Sequence, residues 1–218
     1  TKGNLRPLHE DFNPQFQTGD YTEGNPWQYA FLVPHDVNGL AELMGGKEAL
    51  DAHLDALLNA SSDLGEHHNP DISGLIGQYA HGNEPSHHVL YMYNYVGQPR
   101  KTQMRVRQVM DELYTDQPAG LCGNEDVGQM SAWYIMSALG LYQVEPCGGV
   151  YQLGSPIVEE AVIPLPGEKT FTIRTHGESD KAIYVKKYVL NGKTIKGHTI
   201  SHSQIMEGGT LDVYMTAK

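Results

Sequence analysis

The sequence predicts a mainly α-helical protein that ends in an antiparallel β segment, and three observations predict it. Apolar residues recur at helical spacing between about residues 24 and 140, and two-residue alternation replaces that period after Gly148. Asn191-Gly192, the strongest short hairpin signal, then sits between two strand-like runs. The change of period divides the 218 residues into a helical portion, 1–148, and a β-rich portion, 149–218.

Each element follows in order. The first 36 residues read as loop, with a helix starting near Trp27 and interrupted at Pro34. Residues 36–44 form a short helix stopped by Gly45-Gly46. Over 46–60, Leu50, Leu54, Leu57 and Leu58 fall on one face of an amphipathic helix. Segment 85–96 starts with Pro85 in its first turn and ends at Gly97. Segment 98–115 repeats the spacing with Val106, Val109, Met110 and Leu113, and 126–139 carries Met130, Trp133 and Tyr134 before Gly140. Trp133 and Tyr134 read as core. Lys101, Arg105 and Arg107 read as a solvated face, and His67-His68 as a solvated turn. The alternating runs 170–175 and 210–215 are strands. Five or six helices with polar groups gathered at their N-termini resemble part of a toroid of helical hairpins, too few to close the ring.

Composition excludes several classes. The 15 basic and 26 acidic residues leave a formal charge of −11, which opposes nucleic-acid binding. No apolar run reaches the ~18 residues of a membrane span. The start lacks a basic-then-apolar leader, so either a signal peptide has been removed or this is not a natural start. Cys122 and Cys147 are too few for a disulfide scaffold, although one bond between them is open.

Three carboxylate stations carry the chemistry: Glu23 in "YTEGNPWQYAF", Glu84 in "GNEPSHH", and Glu125-Asp126 in "GNEDVGQMSAWY". Helix capping accounts for each alone, because first-turn amides favour negative charge. Capping does not require Trp27 beside Glu23 or the pair His87-His88 after Glu84. Two separated carboxyl groups are what glycosidic hydrolysis needs, one protonated and one ionised. Glu23 fits the acid, since Trp27, Tyr29 and Phe31 can desolvate it and raise its pKa. Asp126 fits the base, held ionised at a helix start. Asn83 and Glu84 offer hard oxygens suited to Ca²⁺ or Mg²⁺. The histidines match no zinc spacing, and His87 and His88, being adjacent, point to different faces.

"EGNPWQYAFLVPHDVNGL", "GNEPSHHVLYMYNYVGQP" and "GNEDVGQMSAWYIMSALGLY", in this order, resemble glycoside hydrolase family 92, from about Tyr21 to the C-terminus. The resemblance implies an inverting, exo-acting, Ca²⁺-dependent α-mannosidase that trims mannose-containing oligosaccharides of N-glycans or mannan. It also implies a bacterial periplasmic or secreted location. The general acid falls on Glu23, the base on Asp126, and metal ligands on Asn83 and Glu84. Trp27, His87, His88 and Glu125 would contact substrate. Asn124 stands where some relatives carry an acidic residue. Family members have an N-terminal β-sandwich and a complete (α/α)6 barrel. This chain would then hold about half of the barrel, need the missing N-terminal part as its partner, and be inactive alone. Two other readings compete: a non-catalytic, calcium-stabilised carbohydrate-binding domain, and an (α/α)-barrel hydrolase of different sugar specificity.

Overall fold

The strongest helical periods each become a helix. The computed structural model describes residues 21–65, 69–177 and 181–218, so the expectations for the first 20 residues and for His67-His68 lie outside it. The helical part runs α1 (Pro26–Tyr29), α2 (Val37–Leu43), α3 (Lys47–Asn59), the short hairpin β1 (Leu75–Ile76) and β2 (Tyr79–Ala80), and two 3-10 turns (Glu84–Ser86 and Val89–Tyr91). Then come α4 (Met92–Tyr95), α5 (Pro99–Leu113) and α6 (Gln129–Ala138). Strands β3 (Leu141–Tyr142), β4 (Val150–Leu153), β5 (Glu160–Leu165), β6 (Lys169–His176), β7 (Tyr184–Leu190), β8 (Lys193–Thr194) and β9 (Thr199–Ser201) follow, and α7 (His202–Met206) and β10 (Gly209–Thr216) finish the chain.

Helix α3 buries Leu50, Leu54, Leu57 and Leu58, and α5 buries Val106, Val109 and Met110, as the spacing requires. These faces meet Phe31, Tyr91, Tyr93 and Trp133 in one apolar cluster. A second cluster, from Leu153, Phe171, Ile173, Leu211 and Val213, lies under the strands. Gln103 on α5, buried, joins the two parts. Its amide oxygen accepts from Val185 N at 3.0 Å and its amide nitrogen donates to the Tyr188 hydroxyl at 3.4 Å.

Segment 85–96 is not one helix but two 3-10 turns followed by the single α-turn α4. Neighbouring side chains take the carbonyls that an α-ladder would use. The Trp133 indole N–H donates to His87 O at 2.9 Å, and Thr102 Oγ1 donates to Leu90 O at 3.0 Å. The helix expected from Trp27 to Pro34 is likewise only α1. Beyond it, the Phe31 carbonyl accepts from Val33 N at 2.7 Å and from His88 Nε2 at 2.8 Å, not in an α-helical ladder. Lys101, Arg105 and Arg107 are not a plain solvated face. Lys101 Nζ reaches Asp51 and Asp55 at 2.7 Å each, clipping α5 to α3. Arg107 donates to Pro156 O at 3.2 Å and Arg105 to Asn59 Oδ1 at 3.3 Å. The spacing shows the faces of a helix but not what covers each.

Among the described residues, the five-stranded sheet has the order β5-β6-β10-β7-β8, and a smaller one has the order β3-β4-β9. The hairpin turn forms at Asn191-Gly192, with φ of 48° and 79°, the left-handed pair that a tight hairpin needs. The expectation of antiparallel strands holds for every pair but one: β6 and β10 run parallel, Leu211 opposite Ile173. Parallel neighbours need a crossover, and the chain between them supplies it through β7, β8, β9 and α7.

Candidate active site

The carboxylate loops are built from their flanks. Asn25 caps α1: its side-chain oxygen accepts from Trp27 N at 2.9 Å, while Gln28 Oε1 accepts from Asn25 N at 2.7 Å. The same two residues hold the β1–β2 hairpin, Asn25 Nδ2 donating to Gln78 Oε1 at 3.1 Å and Gln28 Nε2 to Gln78 O at 2.5 Å. Glu23 therefore leaves a fixed corner. Its backbone is left-handed, φ 52°, and its carbonyl accepts from Asn83 Nδ2 at 2.7 Å.

On the other side, Asp126 and Val127 precede α6 with φ of 52° and 58°. Two successive non-glycine residues there are strained, on the order of 1–3 kcal/mol each. The loop hangs from the helix start, where Gln129 N donates to Asp126 O and Met130 N to Glu125 O, both at 3.2 Å. Glu23, Asp126 and Asn124 line one cavity of about 200 Å³, together with Asp71, Ser73 and Cys122. A larger groove of about 390 Å³ runs between Tyr114 and Ile135. Among the described residues that line it, Asp116 is the one carboxylate, short of the pair that hydrolysis requires.

The glycines that open the two motifs have a steric origin. Gly82 and Gly123 lie back to back, and a Cβ on Gly123 would stand 2.8 Å from both the Cα and the carbonyl oxygen of Gly82. No backbone can yield to that contact cheaply. Gly123→Ala is therefore expected to destabilise the fold by about 1–3 kcal/mol and to spread the two loops. Urea denaturation of the variant checks the first effect, and a stability equal to that of the parent refutes the packing argument.

Other expected site residues take different places. Glu23 is exposed, so Trp27, Tyr29 and Phe31 do not desolvate it. Phe31 is core, Trp27 packs on that core, and Tyr29 donates its hydroxyl to Thr22 O at 2.7 Å. The Glu125 carboxylate accepts from Ser131 N at 3.1 Å and Ser131 Oγ at 3.0 Å, capping α6 rather than facing the cavity. Cys122 and Cys147 are free thiols.

His87 and His88 are buried. His88 donates through Nε2 to Phe31 O, and His87 donates through Nε2 to His81 O at 2.9 Å. The remaining His87 nitrogen, Nδ1, accepts from Gln129 Nε2 at 3.1 Å. Burial lowers the His87 pKa to about 4 and that of His88 in the same direction. His81 links Tyr79 and Tyr114. Tyr114 donates to Met130 O at 3.1 Å, so its oxygen accepts from His81 Nε2 at 2.6 Å and Nδ1 accepts from Tyr79 at 2.8 Å. Burial, with some effect of nearby His87, lowers the His81 pKa to about 2. Sequence reasoning missed this relay, and it missed Asp71 and Ser73 on the cavity wall. Isolated polar residues in turns carry no period that would single them out.

Asn83 and Glu84 are hard oxygen donors of the kind Ca²⁺ prefers, and the Asn83 amide nitrogen already points to Glu23, which leaves Oδ1 for a ligand. Their number falls short of the 6–8 oxygens a calcium ion takes. Among the described residues, no group of three His, Cys, Asp or Glu side chains gathers to hold a metal. The donor type fits; a complete shell does not exist on these residues.

Residues 2–217 match the glycosyl hydrolase family 92 catalytic domain. An uncharacterized secreted glycosidase of Arthroderma benhamiae is 31% identical over 195 residues, 88% of this chain and 23% of that protein. A family GH92 α-mannosidase of Bacteroides thetaiotaomicron, solved with mannoimidazole, superposes with a TM-score of 0.85 at 38% identity, covering 91% of this chain and 26% of that one. A family GH92 inverting mannosidase of the same bacterium gives 0.82 at 37%, covering 96% and 29%. The chain thus spans about a quarter of the length of the relatives it matches. With its motifs, its mixed helix-and-sheet fold and its matched length taken together, this chain belongs to glycosyl hydrolase family 92.

Proposed function

We propose that this chain supplies the acid–base half of an inverting, exo-acting α-mannosidase acting on mannose-containing oligosaccharides, within a longer protein that completes an (α/α)6 toroid. On this reading residues 1–148 are its helical portion and 149–218 its β-rich portion. The observation that carries the reading is the meeting of Glu23 and Asp126, more than 100 residues apart, on the wall of one cavity. Protonated Glu23 gives its proton to the glycosidic oxygen as the bond from the anomeric carbon to that oxygen breaks. Ionised Asp126 takes a proton from a water whose oxygen bonds to the anomeric carbon from the opposite face. The products are a free sugar of inverted configuration and the alcohol, and the two carboxyl groups then exchange protons with solvent. An inverting pair stands about 6.5–9.5 Å apart, leaving room for that water. The left-handed backbone at both carboxylates favours this assignment, because strain of that kind collects at functional sites.

Asn83 and Glu84 would hold Ca²⁺, with the remaining ligands coming from elsewhere in the protein, water or substrate. The ion would supply positive charge beside the sugar hydroxyls. His87, His88 and Glu125 serve the framework, and Trp27, four residues beyond the acid, packs on the helical core. Glu23 is open on these residues, so its cover would come from substrate or from the rest of the protein. The isolated chain is then inactive. A secreted or periplasmic location agrees with the relative called secreted.

The test uses the full-length enzyme on a set of α-mannobiosides, with the first-formed anomer followed by NMR, with and without a chelator. The expected result is β-mannose as initial product and a rate that falls on chelation and returns with Ca²⁺. Initial α-mannose refutes inversion, a chelator-insensitive rate removes the metal, and turnover by the 218-residue chain alone refutes the need for a partner.

A further inference from the structure

We propose that Gln129 and His87 form a positioning pair that holds the Asp126 loop against the His87 motif and so, through the Asn83 amide that donates to Glu23 O, in register with Glu23, neither side chain touching substrate. The proposal rests on the reading of Asp126 as the base. Loop 123–128 needs a brace: Asp126 and Val127 are both left-handed, and Val127 is exposed to solvent over its whole side chain. Main-chain bonds from the first turn of α6 hold the loop to its own helix, but they do not fix that helix to the facing loop. The Gln129 side chain does so. It crosses to His87, which stands five residues beyond Gly82 in the other motif, and donates to Nδ1 at 3.1 Å.

His87 is a rigid anchor. Its Nε2–H is committed to His81 O at 2.9 Å, its own carbonyl to the Trp133 indole at 2.9 Å, and it is 1% exposed. The committed Nε2–H leaves Nδ1 as a lone-pair acceptor, so the partner must be a donor, and an amide is a neutral donor of the right reach. His81, which receives the far end of this brace, is fixed in turn between Tyr79 and Tyr114. The Gln129 backbone N–H itself donates to Asp126 O at 3.2 Å, which places the brace beside the base rather than across the core from it.

The test again uses the full-length enzyme, with kcat and KM normalised to folded protein by circular dichroism. Gln129→Leu is expected to lower kcat about tenfold or more, as a small misplacement of a reacting group does, with KM little changed. His87→Asn keeps an acceptor near the Nδ1 position and is expected to lose less than His87→Gln, which keeps only the donor toward His81. The double variant Gln129→Leu with His87→Gln should be no worse than the worse single variant. Equal kcat per folded molecule in Gln129→Leu and in the isosteric Gln129→Met overturns the proposal, as do additive losses in the double variant. Asp126→Asn is run beside them. If it retains turnover, the base assignment falls and the pair with it; if it is dead while Gln129→Leu is unimpaired, only the positioning role falls.

Discussion

Asp126→Asn and Glu23→Gln, each made in the full-length enzyme, should lower kcat by roughly 10²–10⁴, the usual worth of a positioned acid or base. Neither should unfold the protein. Asp126 occupies a left-handed backbone at φ 52°, which asparagine tolerates at least as well, so the melting temperature of Asp126→Asn should equal or exceed that of the parent. Glu23 is exposed and its carbonyl, not its carboxylate, makes the short bond from Asn83, which survives the change to glutamine. The two variants also separate the competing readings. A calcium-stabilised binding domain would bind sugar as before and show no rate to lose, whereas an enzyme keeps binding and loses turnover. Addition of azide can replace the water that Asp126→Asn no longer activates. Rescue of that variant alone, with no effect on Glu23→Gln, would support the division of labour, and rescue of the Glu23 variant alone would reverse it.

Acidification from pH 7.5 to 5 should cost about 4 kcal/mol of folding stability from His81 and His87 together. Their folded pKa values, about 2 and about 4, lie below the ordinary value of 6.5 because burial penalises the imidazolium. The unfolded chain therefore binds protons below pH 6.5 that the folded chain refuses. Stability is fully present above that pH and falls as pH drops, by about 1.4 kcal/mol per unit for each ring, until the folded pKa is reached. His88 adds to the same slope. Against a total of about 5–15 kcal/mol for a typical domain, the loss is large. Urea midpoints at pH 7.5, 6 and 5 measure it, and His81→Gln should flatten the slope by close to one proton. A midpoint that does not move over this range would mean that the three rings are not held neutral.

Much of the fold was legible because it is periodic. The leucines of α3, the valines of α5, the alternation of β6 and β10 and the Asn191-Gly192 turn each express a local rule that the fold obeys. The segment after Pro85 was not legible, because its carbonyls are taken by Trp133 and Thr102, residues whose arrival no local pattern announces. The parallel pairing of β6 with β10 is likewise a decision made across the whole chain between His176 and Gly209. In the site, the sequence pointed to carboxylates at helix starts, and Glu23 and Asp126 do share a cavity. It misjudged what surrounds them. The motif histidines were expected against substrate, yet burial and carbonyl partners make them struts. Glu125 looked like its neighbour Asp126 but turns back onto Ser131.

The contact between Gly82 and Gly123 sets a fixed gauge between the two loops. Main chain resting on main chain has no rotamers to exchange, so thermal agitation of neighbouring side chains leaves the base loop seated at a nearly constant distance from the Asn83 loop, to which the Asn83 amide ties Glu23. The recess walls at Asp71, Ser73 and Cys122 are side chains and can be recarved without moving that gauge. On the proposed reading, a lineage can drift in which sugar linkage it prefers while the handedness of its product stays put.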